Sequence, residues 1–198
     1  MKLTIFGVTC PIGRSLVGQA LLHGHQVTAY RQDEQQGVLN AEELRLVTGS
    51  LEDDTTLSKA LGGVDAVVCI LDEEGLQPEE FSDPQHIQSV INEAVSLDVK
   101  QVVFTLSPFI LKKKVPKGYE EVVREHLAVH DQLQSTPLDW VVVCPWKPAL
   151  VKSQGKYRTA EGKVPSKSTP VPVSDVAEFL LEVLCGRKHH KKVIGISC

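Results

Sequence analysis

The five cysteines, Cys10, Cys69, Cys144, Cys185 and Cys198, include no CxxC pair and no Cys/His pattern of a metal site. This argues against a zinc ribbon or a disulfide framework and fits a reducing, cytoplasmic setting. An excess of positive charge is also missing: the net charge is −4, which argues against nucleic acid or an anionic membrane surface as partner. Two basic clusters, "LKKKVPK" at 111–117 and "GRKHHKK" at 186–192, lack interleaved aromatics and read as solvated loops. The acidic stretch from Asp72 to Asp83 reads the same way. His189 and His190 are adjacent and lack the i, i+4 spacing that puts two ligands on one helix face, so no metal is expected. The opening "MKLTIFGVTC" has a charged end, but its apolar run is too brief and too β-branched for a secretory signal.

What is present is an ordinary globular composition, 42% hydrophobic and 23% charged over 198 residues, enough for one sizeable core and one domain, expected to act as a monomer on a small molecule. Strands are predicted at "KLTIFG" (2–7), "QVTAY" (26–30), "LRLVTG" (44–49), "VDAVVCIL" (64–71), "KQVVFTLS" (100–107) and "DWVVVCP" (139–145). Helices are predicted at "IGRSLVGQALLHG", "TTLSKALGG", "PQHIQSVINEAVSLDV" and "EEVVREHLAVHDQLQST", each with apolar residues three and four apart. Strands and helices alternate along most of this stretch, the signature of an α/β doubly wound parallel sheet. Runs such as "DAVVCIL" are apolar throughout, as burial on both faces requires. After the sixth strand comes an irregular lobe, roughly 146–173, then a helix "VSDVAEFLLEVLCG" and a last strand "KKVIGIS".

Ligands in such a sheet bind beyond the carboxyl ends of the strands. That selects Gly7 to Gly13, Tyr30 to Asp33, Gly49 to Asp53, Cys69 to Glu73, Thr105 to Phe109 and Cys144 to Pro148. Gly7 and Gly13 frame a turn between a strand and a helix, where backbone N–H groups and the helix dipole can hold a pyrophosphate. Cys10 stands where a central glycine would, and Pro11 has no N–H but suits a first helical turn, so a cradle with one donor fewer is expected. The Cys10 thiol is expected either to be activated by the dipole, reacting ahead of Cys69, Cys144 and Cys185, or to fill space under the loop. Arg31, just past the second strand, suits the extra phosphate of NADP, while Asp33 keeps NAD open.

Six stretches carry a resemblance in their order: "IFGVTCPIG", "VTAYRQD", "LVTGSLEDDTTLSKALGGVDAVVCIL", "VVFTLSPFILKKKVP", "LDWVVVCPWKP" and "VPVSDVAEFLLEVL". The chain resembles the atypical short-chain dehydrogenases/reductases with NAD(P)-binding Rossmann folds, and within them the biliverdin and flavin reductases. The resemblance implies NADPH as cofactor and hydride transfer to a planar conjugated acceptor, a flavin or a linear tetrapyrrole such as biliverdin. It implies that Gly7, Thr9, Cys10, Pro11, Ile12 and Gly13 hold the cofactor phosphates and that Arg31 reads the NADP phosphate. Ser50, Leu51, Ile70 and Leu71 then border the adenosine and ribose, and Ser107 lies beside the nicotinamide as the catalytic position. The alternative for Ser107 is a strand-end cap. Phe109 reads as a pocket wall. Trp146 offers a flat stacking face, or core packing, and Lys147 a partner for a propionate or phosphate, or a solvated edge.

The chain departs from the family pattern at Cys10, at Ser50 in place of an Asp, and at Trp146-Lys147, where a His is usual. Relatives of this fold also serve as NADP-binding regulators without turnover, which is the alternative function. No Tyr/Lys pair is present, since Tyr30, Tyr119 and Tyr157 are followed at the fourth position by Glu34, Val123 and Glu161. Ordinary alcohol–ketone chemistry is therefore not expected.

Overall fold

A computed structural model describes residues 1–32, 42–71, 84–153, 155–186 and 188–198. Its elements in chain order are β1 (Lys2–Phe6), α1 (Pro11–Leu22), β2 (Gln26–Arg31), β3 (Leu44–Thr48), α2 (Asp54–Leu61) and β4 (Ala66–Ile70). There follow α3 (Pro84–Ser96), β5 (Gln101–Thr105), a 3-10 turn (Pro108–Leu111), α4 (Glu120–Gln134), β6 (Asp139–Pro145), β7 (Arg158–Glu161), α5 (Val173–Gly186) and β8 (Lys192–Ser197). Among the described residues the strands form one sheet in the order β3-β2-β1-β4-β5-β6-β8-β7. Every pairing is parallel except that of β7 with β8. The chain winds outward from β1 through β2 to β3, then restarts at β4 and winds the other way. The boundary between β1 and β4 is the switch point at which such sheets take their ligands.

Both faces of the sheet are covered, as the apolar strands require. On one face α1 and α5 bury Leu16, Val17, Ala20, Val176 and Leu180 against Ile5, Val68 and Val143. On the other, α2, α3 and α4 bury Leu57, Ile91 and Leu133 against Phe6, Val67 and Phe104. β4 and β5 are buried at every position, which is why apolar residues fill them from Ala66 to Ile70 and from Val102 to Phe104. Helix starts follow local chemistry. Pro11 occupies the first turn of α1 behind an extended Cys10, and the Asp53 carboxylate accepts from Thr55 N (3.0 Å) and Thr56 Oγ1 (2.7 Å) ahead of α2. Those bonds, Thr56 first, hold the Asp53 carboxyl below its ordinary range.

Two expectations change, while the connection between the second and third strands, residues 33–41, lies outside the described residues. The strands predicted to run to Gly7, Leu71 and Ser107 end at Phe6, Ile70 and Thr105, because the chain leaves the ladder there to build the loops at the carboxyl edge. The lobe contains a strand the sequence did not announce: β7 runs antiparallel along β8, pairing Thr159 with Ile196 and Ala160 with Gly195. Its sequence, RTAE, has no apolar alternation, so its strand form is imposed by pairing. Arg158 anchors it by donating to the carbonyls of Ser166 (2.7 Å), Lys167 (3.0 Å) and Cys198 (2.6 Å).

Candidate functional site

At the end of β1 the chain turns at Gly7, whose φ of +83° lies in the left-handed region, where glycine carries no steric penalty. Gly13 is needed for a different reason. A Cβ built there stands 2.0 Å from the Gly7 carbonyl oxygen and 2.9 Å from the Val8 Cα, so α1 touches the turn backbone to backbone. Cys10 caps the helix: its sulfur accepts from Gly13 N at 3.3 Å, and its own N–H donates to Gly7 O at 3.2 Å. The Arg14 guanidinium ties the turn from outside by donating to Thr9 O at 3.1 Å. Among the described residues no backbone carbonyl takes the N–H of Val8, Thr9 or Ile12. A close-packed glycine turn, spare N–H groups and the positive end of a 12-residue helix fit a pyrophosphate.

The sulfur resolves the question its position raised. Cys10 is 4% exposed, inside the turn rather than on it. The expectation of an activated, reagent-accessible Cys10 is therefore corrected: a thiol that fills the corner and caps Gly13 is not presented to solvent. The cradle also lacks two donors rather than one, since Pro11 has no N–H and the sulfur occupies that of Gly13. Cys69 and Cys144 are buried in strands, whereas Cys185 is exposed. Brief alkylation with peptide mapping is accordingly expected to label Cys185 well ahead of Cys10, Cys69 and Cys144. Early labelling of Cys10 that NADPH suppresses would show instead that the turn opens readily.

The other candidates fall in strand order along the same edge. Arg31 ends β2, is 4% exposed, and accepts on its carbonyl from Gly49 N at 3.2 Å. Ser50 is exposed and its Oγ accepts from Glu52 N at 3.1 Å. Leu51, Ile70 and Leu71 are buried in the two cores, so what they offer a ligand is main chain. Thr105 Oγ1 fastens this edge, accepting from Leu71 N (3.0 Å) and donating to Leu71 O (3.1 Å). Asp33 and the stretch from Asp72 to Asp83 lie outside the described residues.

Beyond β5 the Ser107 side chain is fully buried. Its Oγ accepts from Phe109 N at 3.2 Å, which is the cap the alternative reading gave it. Its N–H donates to Nδ1 of His126 at 2.8 Å. His126 was not among the sequence candidates. The signal was present, since it falls in step with Val123, Val129 and Leu133 on the buried stripe of α4. Burial lowers its pKa to about 4, so at neutral pH the ring is uncharged, Nδ1 accepts and Nε2 carries the proton.

Phe109 and Trp146 are brought together, their ring centroids 5.8 Å apart and edge to face. Tyr119 closes on Phe109 at 4.6 Å. Trp146 is half-buried and held by its backbone, which donates to Ile196 O (2.8 Å) and accepts from Val171 N (3.1 Å). Lys147 is exposed with φ +45°, its Nζ 6.0 Å from the Trp146 ring. Lys112, expected in a solvated loop, belongs to this cluster, and so does Tyr119.

A glycine-framed helix N-terminus at the switch point of a doubly wound sheet defines a nucleotide-binding α/β protein. The chain belongs to the NAD(P)H-binding family, whose model matches residues 7–185. Solved structures share the fold over the whole chain. An oxidoreductase of Lactococcus lactis is 18% identical with a TM-score of 0.82, covering 100% of this chain and 90% of that one. A wide-type short-chain dehydrogenase/reductase of Veillonella parvula in complex with NADP is 16% identical with a TM-score of 0.77, covering 100% and 94%. A candidate NADH-flavin reductase of Streptococcus pneumoniae is 17% identical with a TM-score of 0.74, covering 100% and 99%. Among the described residues no helix is long and apolar enough to cross a membrane.

Proposed function

We propose that the protein is an NADPH-dependent reductase of a planar conjugated acceptor, a flavin or a linear tetrapyrrole, as in the biliverdin and flavin reductases it resembles. The observation that carries this reading is the placement of the aromatic pair Phe109 and Trp146 past β5 and β6, on the same sheet edge as the glycine cradle past β1. When bound, the cofactor supplies the hydride. The protein's part is to hold and to orient. The Gly7–Gly13 turn takes the phosphates, Arg31 the additional phosphate of NADP, and the Ser50-Leu51 and Ile70-Leu71 main chain the adenosine and ribose. Ser107 acts from below, its cap fixing Phe109 as a wall of the acceptor site. Free thiols throughout the chain support a reducing, cytoplasmic setting, and the protein is expected to work as a monomer on small molecules.

One observation favours a second reading, a cofactor-binding sensor without turnover: the sulfur of Cys10 occupies the Gly13 N–H, and the one hydroxyl assigned to the hydride path is buried. Following NADPH absorbance with FMN or biliverdin separates the two. Oxidation with at least one acceptor is expected; tight NADPH binding without oxidation by any planar acceptor overturns the reductase. Cofactor choice is checked independently. Arg31→Gln is expected to weaken NADPH by about 1.5–3 kcal/mol, the scale of a charged hydrogen bond, and to leave NADH nearly unchanged. Equal losses for both in a titration would show that Arg31 does not read the phosphate.

A further inference from the structure

We infer that Lys112 selects the acceptor, lying across the Trp146 face as a displaceable cation that admits planar molecules bearing a phosphate or carboxylate over neutral ones with the same rings. This rests on the reductase reading above and assigns it a specificity-determining residue. Lys112 follows the 3-10 turn and is fixed at its backbone, where its N–H donates to Phe109 O at 3.1 Å. Its ammonium stands 4.0 Å from the centroid of the Trp146 ring and 5.7 Å from that of Phe109. One face of the half-buried indole, a surface on which a flat acceptor could stack, therefore already carries a cation. Lys147, at 6.0 Å, adds charge without covering the face.

The surroundings make that cation unusually free to change partner. The loops beyond β5 and β6 hold four lysines between 112 and 117 and three between 147 and 156, with no Asp or Glu from 106 to 119 or from 140 to 160. Among the described residues none of these lysines makes an ion pair. In a chain of net charge −4 these two loops therefore concentrate cations beside the aromatic cluster.

Exchange at the ring then discriminates. An incoming neutral ring must push the ammonium off the indole and gives it nothing in return. An anionic acceptor covers the indole and offers the ammonium a charge-assisted bond, stronger than the cation–π contact it replaces. Removing Lys112 should consequently act with opposite signs on the two kinds of acceptor, which a simple loss of positive charge would not do.

FMN and riboflavin share their rings and differ by a phosphate, so their binding to the NADP+-loaded protein, followed by flavin fluorescence, provides the test. Lys112→Met is expected to weaken FMN about tenfold and to tighten riboflavin about threefold. Lys112→Arg should keep the wild-type order, and Lys147→Met should weaken FMN without tightening riboflavin. If both flavins bind the wild type and Lys112→Met shifts them in the same direction or not at all, the selective role of Lys112 is overturned while the reductase reading stands. If neither flavin nor biliverdin binds or oxidises NADPH, the reductase reading falls and this inference with it.

Discussion

Gly13→Ala is expected to abolish measurable NADPH binding and to destabilise the fold by about 3 kcal/mol, at the upper end for an overpacked contact. The atoms that the new Cβ meets are the carbonyl oxygen and carbon of Gly7 and the Val8 Cα, at 2.0, 2.8 and 2.9 Å. All are backbone, so no rotamer change relieves the clash. α1 must withdraw from the end of β1, and with it go Leu16, Val17 and Ala20 from the core and the sulfur cap on Gly13. The same helix holds its own control. A Cβ at Gly18 meets nothing within 4 Å, so Gly18→Ala is expected to stabilise by about 0.5–1 kcal/mol through helix propensity alone. Urea unfolding and cofactor titration of the two variants check both statements. NADPH binding of wild-type strength in Gly13→Ala would place the cofactor elsewhere.

Acid is expected to weaken the protein through His126 before it reaches the carboxylates. The ring is buried and neutral in the fold, its pKa lowered to about 4 from 6.5. The unfolded chain binds a proton below pH 6.5 that the fold refuses, so stability present at neutral pH is lost as pH falls toward 4, by about 3 kcal/mol in all. His25 is shifted in the same direction, first by burial, but is only half-buried, just ahead of β2, and adds less. Asp53 and Asp65, lowered chiefly by hydrogen bonds from Thr56 and from Lys2 N, act only below their ordinary value of 3.8. His126→Asn keeps an acceptor near Ser107 N and cannot titrate, so it should flatten the decline between pH 6.5 and 4. Parallel stability curves for variant and wild type would assign the decline to other groups. Protonation also places a second hydrogen opposite the Ser107 N–H, so the turn that carries Phe109 loosens in the same window.

The α/β class and the central strands were legible because burial on both faces leaves an unmistakable apolar run, and α5 was read to the residue, Val173 to Gly186, from its apolar spacing. The cradle was legible as Gly7 and Gly13, but its chemistry was not, since no spacing rule tells whether the Cys10 sulfur turns outward or caps the helix inward. β7 was invisible because its strand form comes from β8. His126 and Lys112 were missed for one reason: each acts on a residue distant in sequence, the first on Ser107 and the second on Trp146, and a pattern along one element does not report what it touches. Ser107 was read as the last residue of the fifth strand but follows β5 as the cap of the 3-10 turn, and only the packing around it reveals a hydroxyl turned away from solvent.

The short β7 has a consequence for the protein's behaviour in crowded solution. Without it the sheet would end at β8, a six-residue strand whose outer row of N–H and C=O groups would lie beside Val193, Ile194 and Ile196, a template on which another chain could add a strand. β7 occupies that row while being too short and too charged to extend it. Arg158 clasps three carbonyls at one end, and Glu161 meets the Lys192 ammonium at 2.6 Å at the other. The guanidinium thereby acts as a guard against aggregation: were its grip lost, β8 would recruit neighbouring molecules while the nucleotide half of the sheet was still folded.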